Sequence, residues 1–166
     1  MRGKAYVLVI MVVLITMASG SKDANPTEGL NPGDIAPRIE SLENQINLDF
    51  QNHSSRYTLL NFWAAYDAES RACNVRLANE VNKFNPEQIA MYSISLDENE
   101  SVFHETVKID RLNGAKQLHE GLGKMSVVYK KFDLEKGFRN FLINNEGMIV
   151  AVNVTPDKLT EVLNAN

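Results

Sequence analysis

The chain is short of cysteine and of positive charge. One cysteine, Cys73, occurs in 166 residues, so no disulfide can close within the chain. Seventeen lysines and arginines face 21 acids, for a formal charge of −4. Lys130-Lys131 is too little to make a basic stripe, which argues against nucleic acid as a partner. The three histidines, His53, His104 and His119, show no metal-ligand spacing, and His104-Glu105 lacks the second histidine of a zinc helix. Gly121-x-Gly123-Lys124 is no phosphate loop, because the upstream glycine is missing and Met125 stands where a hydroxyl is required. No metal and no cofactor are expected. The apolar run from Ala5 to Met17 holds 13 residues, below the roughly 20 that cross a bilayer core. Internal repeats and low-complexity tracts are absent.

What is present reads as one exported α/β domain. A composition 44% apolar and 23% charged is ordinary for a globular chain. Residues 1–20 have the plan of a secretion signal: Arg2 and Lys4, the apolar run, then small Ala18-Ser19-Gly20. No cysteine lies near residue 20, so a lipid anchor is not expected. The mature protein is then periplasmic or otherwise exported, without stable membrane insertion. Removing those 20 residues leaves 15 basic residues against 21 acids, a charge of −6. Residues 21–33 read as a linker and 34–166 as the domain.

Within that domain, Arg38 to Phe50 reads as a β-hairpin. Tyr57 to Phe62 reads as a buried strand, followed by a helix with Cys73, Leu77, Val81 and Phe84 at helical spacing. Ile89 to Leu96 is a second core strand, and a helix between two short apolar strands argues for parallel pairing. The acidic run Asp97-Glu98-Asn99-Glu100 reads as a solvated strand end and helix start. Ser101 to Asp110 and Ser126 to Phe132 read as helices, separated by a loop holding Gly114, Gly121 and Gly123. Phe141 to Ile143 and Met148 to Val154 form a hairpin around Gly147. Thr155-Pro156-Asp157 opens a last helix, with Leu159, Val162 and Leu163 on one face.

The stretch Leu59-Leu60-Asn61-Phe62-Trp63-Ala64, followed after six positions by Arg71-Ala72, resembles the thioredoxin-fold proteins of the TlpA/ResA type, relatives of the AhpC/TSA antioxidant proteins. Those are extracytoplasmic thiol–disulfide oxidoreductases whose motif is close to L-L-N-F-W-A-S-W-C-x-x-C-R-A-E. Gly33-Asp34-Ile35-Ala36-Pro37 is similar to the G-x-x-A-P that opens the same domain. The resemblance covers about residues 30–166. It implies a central mixed β-sheet flanked by helices, with an N-terminal β-hairpin extension.

The chain departs from that pattern where the family does its chemistry. Asp67 and Ser70 stand at the two cysteine positions. The family's cis-proline aligns with Phe138, where a cis bond would cost about 3–4 kcal/mol, so an ordinary trans bond is expected. Asp67 reads foremost as a helix N-cap helped by Glu69 in the first turn. Its rival role is in a polar rim with Tyr66 and Glu69. Ser70 has no histidine placed near it by sequence, which leaves a hydrolase reading weak. Cys73 sits where the family has a glutamate, one turn below the site. It reads as a small buried hydrophobe before a reactive thiol, and Ser70-Arg71-Ala72-Cys73 supplies only half of a peroxiredoxin pattern.

Two functions of different class follow. One is a redox-inactive binding module of the bacterial cell envelope, in which Trp63, Tyr66, Asp67, Glu69 and Phe138 recognise a peptide segment or an envelope protein. The other is a thiol-dependent enzyme or sensor that uses Cys73 with an external thiol. A third outcome is a scaffold that keeps the family's form and none of its chemistry.

Overall fold

The computed structural model describes residues 26–42, 46–51, 54–112 and 115–165. Residues 1–20, read as a secretion signal, residues 21–25 of the expected linker, His53 and Gly114 lie outside them. Among the described residues no helix is long and apolar enough to cross a membrane.

Two strands, β1 (Ile39–Leu42) and β2 (Ile46–Leu48), pair antiparallel as the expected hairpin. The main sheet has five strands. They are β3 (Tyr57–Trp63), β4 (Ile89–Ser95), β5 (Lys116–His119), β6 (Asn140–Asn144) and β7 (Ile149–Val152), ordered β5-β4-β3-β6-β7. β3 pairs parallel with β4, and β4 with β5, while β6 runs antiparallel to β3 and β7. The sheet is therefore mixed, with β3 at its centre. Helix α1 (Ala68–Val81) follows β3 and α2 (Glu100–Ile109) follows β4, so both strands deliver their C-terminal ends onto a helix start. The short α3 (Val127–Lys131) and the terminal α4 (Pro156–Asn164) complete the fold.

Period-two alternation sorts the strands' side chains to two cores. Leu60, Phe62, Ile94, Phe141 and Ile143 face the hairpin and α3, packing on Phe132, Val128, Ile39 and Phe50. Leu59, Met91 and Leu142 face α1 and α4, packing on Leu77, Val81, Leu159 and Leu163. Residues Thr27 to Ala36 fold onto the end of the sheet: Gly29 N–H donates to Ile35 O at 3.1 Å, and Gly33 N–H to Ile149 O at 2.8 Å.

Some elements differ from the sequence reading. Lys116 to His119, read as part of a loop, is the edge strand β5. Helix α1 ends at Val81 with Asn82 as its C-cap, so Phe84 lies past it. The buried face of α1 is Ser70, Asn74, Leu77, Ala78 and Val81, two of them polar, and Cys73 is only half-buried.

The polar members of that face meet a polar row in the sheet. Asn140, Asn61, Ser93 and Gln117 are register partners across β6, β3, β4 and β5. Asn74 crosses over them. Its Oδ1 accepts from Ser93 Oγ at 2.5 Å and from Asn61 Nδ2 at 3.2 Å, and its Nδ2 donates to Gln117 Oε1 at 3.3 Å. Buried amides without partners would cost several kcal/mol; joined in this way, Asn74, Asn61 and Ser93 fix how α1 sits on the sheet, while Gln117 is held through its oxygen alone.

Candidate functional site

The site is built where β3 runs out and α1 begins. Asp67 is the N-cap of α1, in extended conformation, and its Oδ1 accepts from Ser70 N–H at 2.8 Å. Ser70 Oγ donates to Asp67 O at 3.2 Å and accepts from Ala64 N–H at 3.3 Å. Glu69 stands in the first turn, where the helix dipole favours an acid. Asp67 and Ser70, which the resemblance aligns with two cysteines, thus both engage their oxygens in closing the helix end. The expectation of an N-cap at Asp67 holds.

Opposite lies Phe138. It follows Gly137, whose φ of +116° is a conformation that L side chains rarely adopt. The bond between them is trans, since no described residue follows a cis peptide. Phe138 is half-buried, and its ring centre lies 6.2 Å from that of Tyr66. Between α1 and the segment from Lys136 to Asn140 opens a groove of about 480 Å3. Asp67, Glu69, Cys73, Arg76, Phe138 and Asn140 are among the residues that line it.

Four of the five rim residues read from sequence come together here, and one does not. Tyr66 (62% exposed) and Glu69 are open to solvent, while Asp67 and Phe138 are partly covered. Trp63 is 0% exposed and takes no part in the rim. β3 extends one residue further than its apolar run suggested. The pleat then turns Trp63 inward toward Phe103 of α2, with ring centres 6.3 Å apart.

Asp97 is the residue that sequence reading missed. Read as solvated, it is 3% exposed. Its Oδ1 and Oδ2 accept from Ala65 N–H at 3.0 and 2.9 Å, and Oδ2 also from Ser95 Oγ at 2.7 Å. It therefore ties the end of β4 to the loop that carries Tyr66 and Asp67. The available signal was its place, an acid at the C-terminal end of a central parallel strand. Arg71 adds a second tie, donating from Nε and Nη2 to the two oxygens of Asp110 at 2.7 and 2.6 Å.

Charge around the site is negative on the Tyr66 side. Burial raises the Tyr66 phenol pKa above its ordinary value, and Tyr129, Asp97, Asp67 and Glu98 push it the same way. Burial also raises the Cys73 thiol, against the opposing pull of Arg76 and the Asn140 amide. Asn140 Nδ2 lies 4.0 Å from the sulfur. A thiol held protonated in this way is a poor nucleophile. Among the described residues no group of three or more His, Cys, Asp or Glu could hold a metal ion.

Comparison with solved structures places this geometry. The chain is similar to a thioredoxin-like protein from Parabacteroides distasonis, with 67% identity and a TM-score of 0.77. The match covers 84% of this chain and 99% of that one. It is also similar to a thiol-disulfide oxidoreductase from Bacteroides fragilis, at 27% identity and a TM-score of 0.65, covering 80% of this chain and 98% of the other. The thioredoxin domain of a thiol-disulfide oxidoreductase from Bacteroides vulgatus matches at 22% identity and a TM-score of 0.68, over 82% of this chain and 98% of its own, which speaks for the fold alone. No protein-family model and no curated protein matches the chain. At 67% identity over nearly the whole of the Parabacteroides chain, this protein belongs to the thioredoxin-like family.

Proposed function

We propose that the protein is an exported binding module that performs no dithiol–disulfide exchange and takes a peptide segment of an envelope protein in the groove between α1 and Phe138. The observation that carries this reading is the pairing of Asp67 with Ser70. Exchange requires a thiolate that attacks a disulfide and a second thiol that resolves the mixed product. Here oxygen occupies both places and is spent on the helix end. What remains is an open groove lined by the half-buried Phe138, with the exposed Tyr66 beside it, and backbone on the Phe138 side. Such a surface suits an extended chain. Export rests on the signal-like residues 1–20.

A second reading keeps a thiol function, with Cys73 acting alone on an external thiol. It is favoured only by the place of Cys73 on the groove wall. Burial acts against it.

The test uses the purified mature protein. No turnover of insulin disulfides by dithiothreitol above the uncatalysed rate is expected. An array of end-blocked peptides is expected to retain the wild type and to lose the Phe138→Ala variant. Insulin reduction above background would refute the reading, and so would an array that retains nothing.

A further inference from the structure

Beside Tyr66, and sharing no lining residue with the Phe138 groove, lies a separate cavity of about 700 Å3, between the loop after β3 and the start of α2. Tyr66 and Val102 give it apolar walls, and they are among the large apolar side chains left exposed, at 62% and 43%. Asp97 and Glu98 line it, as do Arg71 and Lys124. We propose that this cavity receives one lysine or arginine side chain of a bound polypeptide, packing its aliphatic stem on Tyr66 and Val102 and setting its charged head against Glu98.

The charges decide the occupant. Arg71 is already neutralised, since its Nε and Nη2 both donate to the Asp110 carboxylate. Glu98 has no ion pair among the described residues, and neither does Lys124. Behind Glu98, the Asp97 carboxylate is fixed by Ala65 N–H and Ser95 Oγ. Two carboxylates thus face one uncommitted cation. The upward push of Asp97, Asp67 and Glu98 on the Tyr66 phenol, after those of burial and Tyr129, reports the same negative field.

An aliphatic side chain placed there would strip water from the exposed Glu98 carboxylate and return nothing. An acidic one would be repelled. A lysine or arginine satisfies both parts of the wall, its methylenes on apolar surface and its cation beside a carboxylate and a tyrosine ring. The cavity is also held in shape. A Cβ on Gly123 would fall 2.8 Å from Glu98 Cγ, so the turn carrying Lys124 lies directly against Glu98.

This inference rests on the reading that the end of the sheet binds polypeptide, and the test separates the two. The mature protein is applied to an array of end-blocked 12-residue peptides of varied sequence, and the best binder is titrated in solution. Retained peptides are expected to share a lysine or arginine. Replacing that residue by norleucine should weaken binding about tenfold, the worth of one exposed ion pair with a cation–π contact. Glu98→Gln should weaken the cationic peptide by the ion-pair share of that factor, about threefold, since the tyrosine contact survives, and leave the norleucine peptide unchanged. Lys124→Ala should tighten the cationic peptide, whereas Phe138→Ala should weaken both peptides alike. An array that retains nothing refutes the binding reading and this inference together. Retained peptides without a shared cation, or equal loss of both peptides in Glu98→Gln, overturn this inference alone.

Discussion

Asp67→Ala isolates what the carboxylate contributes to the fold. The substitution removes the Oδ1 acceptor 2.8 Å from Ser70 N–H and leaves that donor facing a half-buried loop. Loss of a side-chain N-cap costs about 1 kcal/mol. Asp67→Asn retains an acceptor of the same shape and gives up only the charge at the helix start, worth roughly 0.3–1 kcal/mol at low salt. The expected order of stability is therefore wild type, then Asn, then Ala. Equilibrium unfolding in urea reads it directly. With a slope near 2 kcal/mol per molar, Asp67→Ala should move the midpoint down by about 0.5 M with the slope unchanged. The Asn variant should recover more of that shift as salt is added, because only its charge term is screened. An Ala variant that unfolds with the wild type would show that the cap carries no stability, and a functional reason for the carboxylate would have to replace it.

Two further outcomes follow from the same geometry. Native Cys73 should react with iodoacetamide more slowly than a free thiol, with a rate still rising above the ordinary thiol range. Arg76→Ala should slow it further at a given pH, since the guanidinium is one of the groups lowering the thiol's pKa. Asn74→Ala should strand the Ser93 hydroxyl beneath α1 and leave Asn61 Nδ2 only its 3.0 Å bond to Ser93 Oγ, at about 1–3 kcal/mol for the buried group left unpaired. A thermal midpoint lowered by roughly 5 °C would be the calorimetric sign, and one lowered by no more than a degree would refute the shared role given to Asn74.

The apolar elements were legible from sequence because their patterns are strong. Tyr57 to Phe62 and Ile89 to Leu96 are runs that only a buried strand accommodates, and the turn at Gly147 announces its hairpin. β5 was not legible. Lys116-Gln117-Leu118-His119 has one aliphatic residue in four, and it becomes a strand through pairing with β4, which no local propensity encodes. At the site, Asp67, Ser70 and Phe138 could be singled out by comparison with the motif, and Asp67's capping role from its residue type. The burial of Trp63 and Asp97 could not. Both depend on where the sheet ends and which helix covers it, and a charged run after a strand reads as solvated until the covering loop is known. The polar row under Asn74 stayed hidden for a related reason, because Asn61, Ser93, Gln117 and Asn140 are scattered in sequence and meet only through register.

The interlocked bonds of Asp67 and Ser70 also bear on how the helix start can change. Ser70→Ala would take away both the acceptor of Ala64 N–H and the donor to Asp67 O, and Asp67→Ala leaves Ser70 N–H without its acceptor. A replacement at one position therefore loosens the other, and the two are coupled. Variation near the groove is freer at Tyr66 and Glu69, which stand open to solvent.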